Sequence, residues 1–130
     1  MDWKIELIFV PVTDVDRARD FYVNLGYVLD NDQRINEELR FVQLTPPGSA
    51  CSIALGEGLT TMTPGTQTSI QVVVPNADDA LSYLVSRGVA ARGVDEQAWG
   101  RFVTFDDPDG NTWTLQELPD YSKDPYAAYA

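Results

Sequence analysis

Slid along itself by 62 residues, the sequence repeats. Ile8 falls on Ile70, Val10 on Val72, Val12 on Val74, Asp14 on Asn76, Asp16 on Asp78 and Ala18 on Ala80. Phe21 then meets Tyr83, Val23 meets Val85 and Gly26 meets Gly88, and the same offset carries Pro46 onto Pro108, Gly48 onto Gly110 and Ile53 onto Leu115. A fixed internal period that runs from the first apolar run to the last marks a duplicated structural unit. Whatever fold the chain adopts must be built twice from one plan.

The plan reads as strand, helix and three strands. Residues 3–12, WKIELIFVPV, are apolar on both alternating faces and predict a strand buried on both sides. Thr13-Asp14 supplies an N-cap, Val15, Ala18, Phe21, Tyr22 and Leu25 recur at helical spacing, and Gly26 suits the stop, so a helix is expected over about 14–25. Short strands are expected at 27–29, 39–44 and 51–55, divided by the polar stretch DNDQRINEE and by Thr45-Pro46-Pro47-Gly48. Module 1 therefore spans about 3–55 and module 2 about 68–118. They are joined by the Gly- and Thr-rich linker 56–67 and followed by a tyrosine-rich tail, 119–130, that either drapes over a neighbour or frays. Near the end of module 2, Asp107-Pro108-Asp109-Gly110-Asn111 concentrates turn formers and predicts a tight reversal into a strand over 112–117.

The expected fold class is α+β in one domain: two βαβββ modules whose half-sheets form a curved mixed sheet trough. In each module the helix covers the face carrying Ile8/Val10/Val12 or Ile70/Val72/Val74, packing through Ala18/Phe21 and Ala80/Tyr83. The opposite face then lines the trough. It carries Ile5, Leu7 and Phe9, Ser52 and Ala54, Ser69, Gln71 and Val73, and Thr112, Thr114 and Gln116, giving an apolar wall and a hydroxyl-amide wall.

Composition narrows the chemistry. Twenty acidic residues against nine basic ones give a net charge of -11, which disfavours nucleic acid and anionic membranes as partners and favours cationic ligands. There is no histidine, so Ser-His-Asp and Cys-His catalysis and His-ligated metal sites are excluded. The single cysteine, Cys51, forms no intramolecular disulfide, and with neither a signal-like N-terminus nor an 18-residue apolar run the expected location is the cytoplasm.

The duplicated unit, the opening V-x-D then R-A-x-x-F-Y and L-G-Y (Val12, Asp14, Arg17 to Tyr22, Leu25 to Tyr27), and the closing G-R-x-V-x-F-x-DPDGN (Gly100 to Asn111) together resemble the vicinal oxygen chelate superfamily. This is the family of glyoxalase I, extradiol dioxygenases, fosfomycin resistance enzymes and bleomycin resistance proteins. The resemblance covers residues 3–118. It implies a divalent-metal site on the first and last strands of each module, at Leu7, Ser52, Ser69 and Thr114. Leucine is no ligand and neutral hydroxyls are weak ones, so no metal and no cofactor is expected, as in the metal-free, bleomycin-resistance-like branch.

The candidate ligand contacts are Leu7, Phe9, Ser52 and Ala54 in module 1, with Ser69, Gln71, Thr114 and Gln116 in module 2. Trp99, beside Gly100, either stacks on a flat ligand or packs on its own chain. Arg101, like Arg40, either meets an anionic group or pairs with surplus carboxylates. By strand parity Trp113 belongs to the core and Cys51 reads as an inert thiol. No catalytic residue is assigned. The functional expectation is metal-independent binding of a small, partly aromatic or cationic molecule, as in antibiotic sequestration, by a homodimer. The alternative is a metal-free isomerase, cyclase or lyase working through a carboxylate, with Glu6 and Glu117 as candidate bases, or a tyrosine.

Overall fold

The computed structural model describes residues 1–120 and Ser122; the expectation for the tyrosine-rich tail therefore lies mostly outside the described residues. In chain order the elements are β1 (Leu7–Phe9), α1 (Val15–Asn24), β2 (Val28–Arg34), β3 (Arg40–Thr45), β4 (Ser52–Glu57), β5 (Ile70–Val73), α2 (Ala77–Ser86), β6 (Ala91–Gln97), β7 (Gly100–Asp106) and β8 (Thr112–Glu117). They fall into two compact units. The first comprises residues 1–67 with 107–111, and the second, among the described residues, comprises 68–106 with 112–120 and Ser122.

Each unit has one four-stranded mixed sheet and one helix, the βαβββ plan read from the repeat. The first sheet has the order β1-β4-β3-β2, with β1 parallel to β4 and the other pairs antiparallel. The second, β5-β8-β7-β6, repeats that pattern. The helices share one local design. Asp14 caps α1 by accepting from the Arg17 amide at 3.0 Å, and Asn76 caps α2 by accepting from the Asp79 amide at 2.9 Å. Past the C-caps, Gly26 and Gly88 take φ of 93° and 76°, left-handed values that glycine adopts without strain.

Helix α1 lies on β3 and β4, and α2 on β6, β7 and β8. In the first unit Val10, Val42, Leu44, Ile53 and Leu55 are buried together with Val15, Ala18 and Tyr22. In the second, Val103, Phe105, Trp113 and Leu115 are buried with Ala77 and Leu84, and the Phe105 and Trp113 rings lie parallel at 6.2 Å. Trp113 is thus a core residue, as its parity indicated. The helix contacts need correcting by one position: Tyr22 and Leu84 enter the core, whereas Phe21 is half-buried and Tyr83 is exposed. At 3.6 residues per turn, neighbouring aromatic positions compete for one face, and the buried one is set by the sheet it meets.

Three strand boundaries also differ from expectation. The first strand is only Leu7–Phe9, leaving Trp3 and Ile5 exposed and Val12 in a loop. The polar stretch after residue 29 does not divide strands; most of it is β2. Its charges are usable because β2 is a sheet edge and Asp32 meets Arg40 at 2.9 Å and Arg19 at 2.9 Å. The fourth strand runs to Glu57, two residues into the expected linker.

The repeat itself shifts at one place. Offset 62 relates Asp14 to Asn76 and Gly26 to Gly88, but Leu7 pairs with Ser52 whereas Thr114, the 62-residue counterpart of Ser52, pairs with Gln71. Likewise the Val10 N–H to Ala54 C=O bond recurs as Val74 N–H to Gln116 C=O. The counterpart of Leu7 is therefore Gln71, not Ser69, which precedes β5. The cause is an insertion: residues 10–13 separate β1 from its cap Asp14, but only residues 74–75 separate β5 from Asn76.

One ion-pair device is duplicated along with the backbone. Arg40 in β3 reaches Asp16 of α1 at 2.8 Å and Asp32 of β2 at 2.9 Å. Arg101 in β7 reaches Asp78 of α2 and Glu96 of β6, both at 3.0 Å. Each arginine ties the first turn of its helix to the second strand of its unit. The Asp32 carboxyl is held down at about 2, chiefly by its hydrogen bonds to Arg40 and against the effect of its own burial, with Arg19 adding to the shift.

Candidate functional site: the helix-free sheet faces

With the helices on one side of each sheet, strand register fixes what the other side carries. In the first unit Leu7 pairs with Ser52, and Phe9 and Gln43 both pair with Ala54. The helix-free face therefore presents Leu7, Phe9, Ser52 and Ala54 from β1 and β4, and Phe41, Gln43 and Thr45 from β3. The β3 residues were not assigned from sequence. The signal was present in RFVQLT, where Val42 and Leu44 alternate with Phe41, Gln43 and Thr45, but without the register nothing said which set faced the helix.

The face mixes an apolar edge with a polar line. Ser52 is buried, and its hydroxyl lies 2.7 Å from Thr45 Oγ1 and 3.1 Å from Gln43 Nε2. Thr45 donates onward to the Asp30 carboxylate. Leu7 is half-buried and Phe9 partly exposed. This surface offers carbon on one edge and hydroxyl and amide groups beside it.

The second unit presents Gln71, Val73, Thr114 and Gln116, with Phe102 and Thr104 from β7. Gln71 Nε2 donates to Gln116 Oε1 at 2.6 Å, and Gln116 Nε2 donates to the Trp99 carbonyl at 2.8 Å. The two amides are thereby oriented, and the second one ties down the turn that carries Trp99. That tryptophan is 44% exposed, and Val73 is also exposed. An oriented amide beside an accessible indole suits a flat ligand with polar edges.

Four candidates are not among the strand residues that form these faces. Ser69 precedes β5 and is exposed. Arg101 shares the helix side with Glu117: its guanidinium bonds Asp78, Glu96 and Glu117 at 3.0, 3.0 and 3.2 Å, the pairing with surplus carboxylates set out above as one of its two fates. Glu117 in turn accepts from the Ala77 amide at 2.8 Å, so this candidate base is engaged at the start of α2. Cys51 is partly buried, and burial, helped by Glu6, pushes its thiol pKa up and away from nucleophile character.

The residues at the family's ligand positions do not fit a divalent metal. With the register corrected they are Leu7, Ser52, Gln71 and Thr114: one hydrocarbon, two hydroxyls and an amide. No anionic donor stands among them to displace water from a hard cation or to replace imidazole on a transition metal. Among the described residues, no group of three or more Cys, Asp or Glu is placed to hold a metal ion. Nor is any helix among them long and apolar enough to cross a membrane.

A buried polar hub organises the reversal at 107–111, which belongs to the first unit. Asp107 Oδ2 accepts from Tyr22 Oη and from Asn111 Nδ2, each at 2.8 Å, while its Oδ1 accepts from the amides of Asp109 and Asn111, each at 2.9 Å. Asn111 Nδ2 also reaches the Pro11 carbonyl at 2.8 Å, and Asp109 Oδ1 accepts from the Thr13 hydroxyl at 2.6 Å. The inserted β1–α1 loop is thus what the DPDGN reversal grips.

The family model described as Glyoxalase/Bleomycin resistance protein/Dioxygenase superfamily matches residues 4–115. Among solved structures, TnmS3, an antibiotic binding protein from Streptomyces sp. CB03234, is 34% identical over 91% of this chain and 98% of its own, with a TM-score of 0.82. A glyoxalase/bleomycin resistance protein from the same organism is 36% identical over 88% of this chain and 100% of its own, with a TM-score of 0.77. A superfamily member from Sphaerobacter thermophilus DSM 20745 is 34% identical over 89% and 98%, with a TM-score of 0.78. No curated protein matches the chain.

Proposed function

The chain belongs to the Glyoxalase/Bleomycin resistance protein/Dioxygenase superfamily, and from that premise we propose that it is a binding protein that holds a small, partly aromatic or cationic molecule without a metal ion. The observation that carries this reading is the donor set Leu7, Ser52, Gln71 and Thr114, which replaces ligands with carbon, hydroxyl and amide. The ligand rests on the helix-free faces: Leu7 and Phe9 supply apolar area, Trp99 supplies an aromatic surface, and Thr114 and Gln116 meet polar edges. An antibiotic is the ligand class that the antibiotic-binding relative suggests, and sequestration is then the role. The excess of acidic residues raises the local concentration of a cationic ligand.

A homodimer is part of the proposal, and sedimentation at micromolar concentration tests it; a stable monomer would count against it. The functional reading is tested by a thermal-shift screen with planar aromatic antibiotics and aromatic metabolites, each hit then recovered and weighed by mass spectrometry. Stabilisation with the compound returned unchanged is expected. Chemical conversion of the compound would replace binding with catalysis.

A further inference from the structure

The insertion that breaks the repeat also opens a cavity. After the Val10 N–H donates to the Ala54 carbonyl at 2.9 Å, β1 turns away, while β4 continues through Leu55, Gly56 and Glu57. In the second unit the matching bond, Val74 N–H to Gln116 C=O at 2.8 Å, is followed by Glu117 alone before β8 ends. Beside the β4 overhang lies a space of about 290 Å3, walled by Val10, Val12, Val15, Leu55, Leu59 and Met62. It is contained within the first unit.

Backbone direction decides what this space can bind. Along a strand, successive residues turn their N–H and C=O to opposite neighbours. The Ser52 amide donates to the Glu6 carbonyl at 3.0 Å and the Ala54 carbonyl accepts from Val10, so both residues address β1. Ile53, Leu55 and Glu57 accordingly address Leu44, Val42 and Arg40 of β3. Gly56 aims its N–H and C=O at the side that β1 has left, and among the described residues neither group meets a partner. The position excludes a side chain of its own, since an added Cβ would run into the Arg40 carbonyl and stand 2.9 Å from Leu59 Cδ1. Charge at the rim is already matched: Glu57 holds Arg34 through both carboxylate oxygens at 3.0 Å, and Thr13 is committed to Asp109.

We propose that this cavity is a second binding site, distinct from the helix-free faces, and that it takes an extended, uncharged peptide unit. The ligand residue donates its N–H to the Gly56 carbonyl and accepts from the Gly56 N–H, as an added strand does at a sheet edge, and its apolar side chain lies against Val10, Leu59 and Met62. An extended residue matches because its donor and acceptor straddle one Cα, as those of Gly56 do. The adjacent N–H and C=O of a lactam stand too close together for both bonds. The volume, at the small end of the roughly 300–1,000 Å3 of ligand pockets, fits a short peptidic molecule rather than a long strand.

The test is titration of the isotopically labelled full chain with N-acetyl-L-valine methylamide, read by amide correlation spectra. The Gly56 amide should shift downfield and saturate, with Leu59 and Thr60 following. The same probe methylated on the valine nitrogen has lost that donor and should bind at least tenfold more weakly. Met62→Trp, at an exposed wall position, should fill the space and abolish the shift while the remaining spectrum stays native. A Gly56 amide that does not move, or equal binding of the methylated probe, overturns the proposal on the wild-type chain alone. The peptide probe is read at the Gly56 amide, whereas the preceding reading is tested by aromatic compounds and by Phe9 and Trp99, which do not line this cavity, so failure here and failure of that reading are separable.

Discussion

Removal of one oxygen, by Tyr22→Phe, isolates the contribution of the Asp107 hub. The tyrosine is fully buried, and its hydroxyl donates to Asp107 Oδ2 at 2.8 Å, while its ring lies 5.2 Å from Phe21 and 5.3 Å from Tyr27. Phenylalanine keeps the ring contacts and deletes only the donor. A hydrogen bond to a charged acceptor contributes about 1.5–3 kcal/mol, and Asp107 Oδ2 retains Asn111 Nδ2, so the expected loss is about 2 kcal/mol. For a chain of this size that corresponds to a fall in Tm of roughly 6–10 °C. Asp107→Ala should cost more, because it removes the acceptor shared by the Tyr22 hydroxyl, the Asn111 side-chain amide and the backbone amides of Asp109 and Asn111. In that background the further change Tyr22→Phe should cost little, since the partner is already gone. Urea denaturation of the two single variants and the double variant decides the matter. A Tyr22→Phe protein within about 0.5 kcal/mol of wild type, or two penalties that simply add, would refute the coupling.

Other expectations follow from the same structure. Asp32 titrates at about 2 in the folded chain against 3.8 ordinarily, so its contribution to stability is full above about pH 4 and fades as the pH falls from there toward 2. The stability advantage of wild type over Asp32→Asn, measured by urea midpoints, should therefore be larger at pH 6 than at pH 2.5; an advantage that grows on acidification would contradict the Arg40 clamp. Gly100 has a φ of 152°, and a Cβ there would lie 2.9 Å from both Gln116 Nε2 and the Glu117 carbonyl oxygen. Gly100→Ala should therefore cost roughly 1–3 kcal/mol and release the Trp99 turn, seen as a change in indole fluorescence. On the ligand side, Trp99→Ala and Phe9→Ala should each weaken binding of a screened aromatic compound by roughly 10-fold while leaving Tm within a few degrees, since both side chains are partly exposed; unchanged affinity in both would move the ligand off these faces.

Much of the fold was legible because it is local and repeated. The caps Asp14 and Asn76 and the stops Gly26 and Gly88 announce both helices, and the alternation around Trp113 places it in the core. The extension of β2 beyond residue 29 was hidden because its residues are polar; only the structure shows Asp32 neutralised by Arg19 and Arg40, which lie 13 and 8 positions away in the chain. The shift of two residues at β5 was hidden for a different reason. Apolar strands preserve their alternation under an even shift, so Val10 matches Val72 and Val74 equally well, and hydrogen-bond register alone separates them. That shift moves the counterpart of Leu7 from Ser69 to Gln71. The hub at Asp107 and Asn111 read as a turn, which it is. Its partners Tyr22 and Pro11 lie 85 and 100 residues away, and no local pattern reports them.

Metal-independent binding is tested most directly by isothermal titration of an aromatic antibiotic identified in the thermal screen, performed once in excess EDTA and once with added Mn2+ or Zn2+. The donor set Leu7, Ser52, Gln71 and Thr114 predicts the same affinity in both and an unmodified compound afterwards. Affinity that appears only with the metal, or that collapses in EDTA, would contradict it.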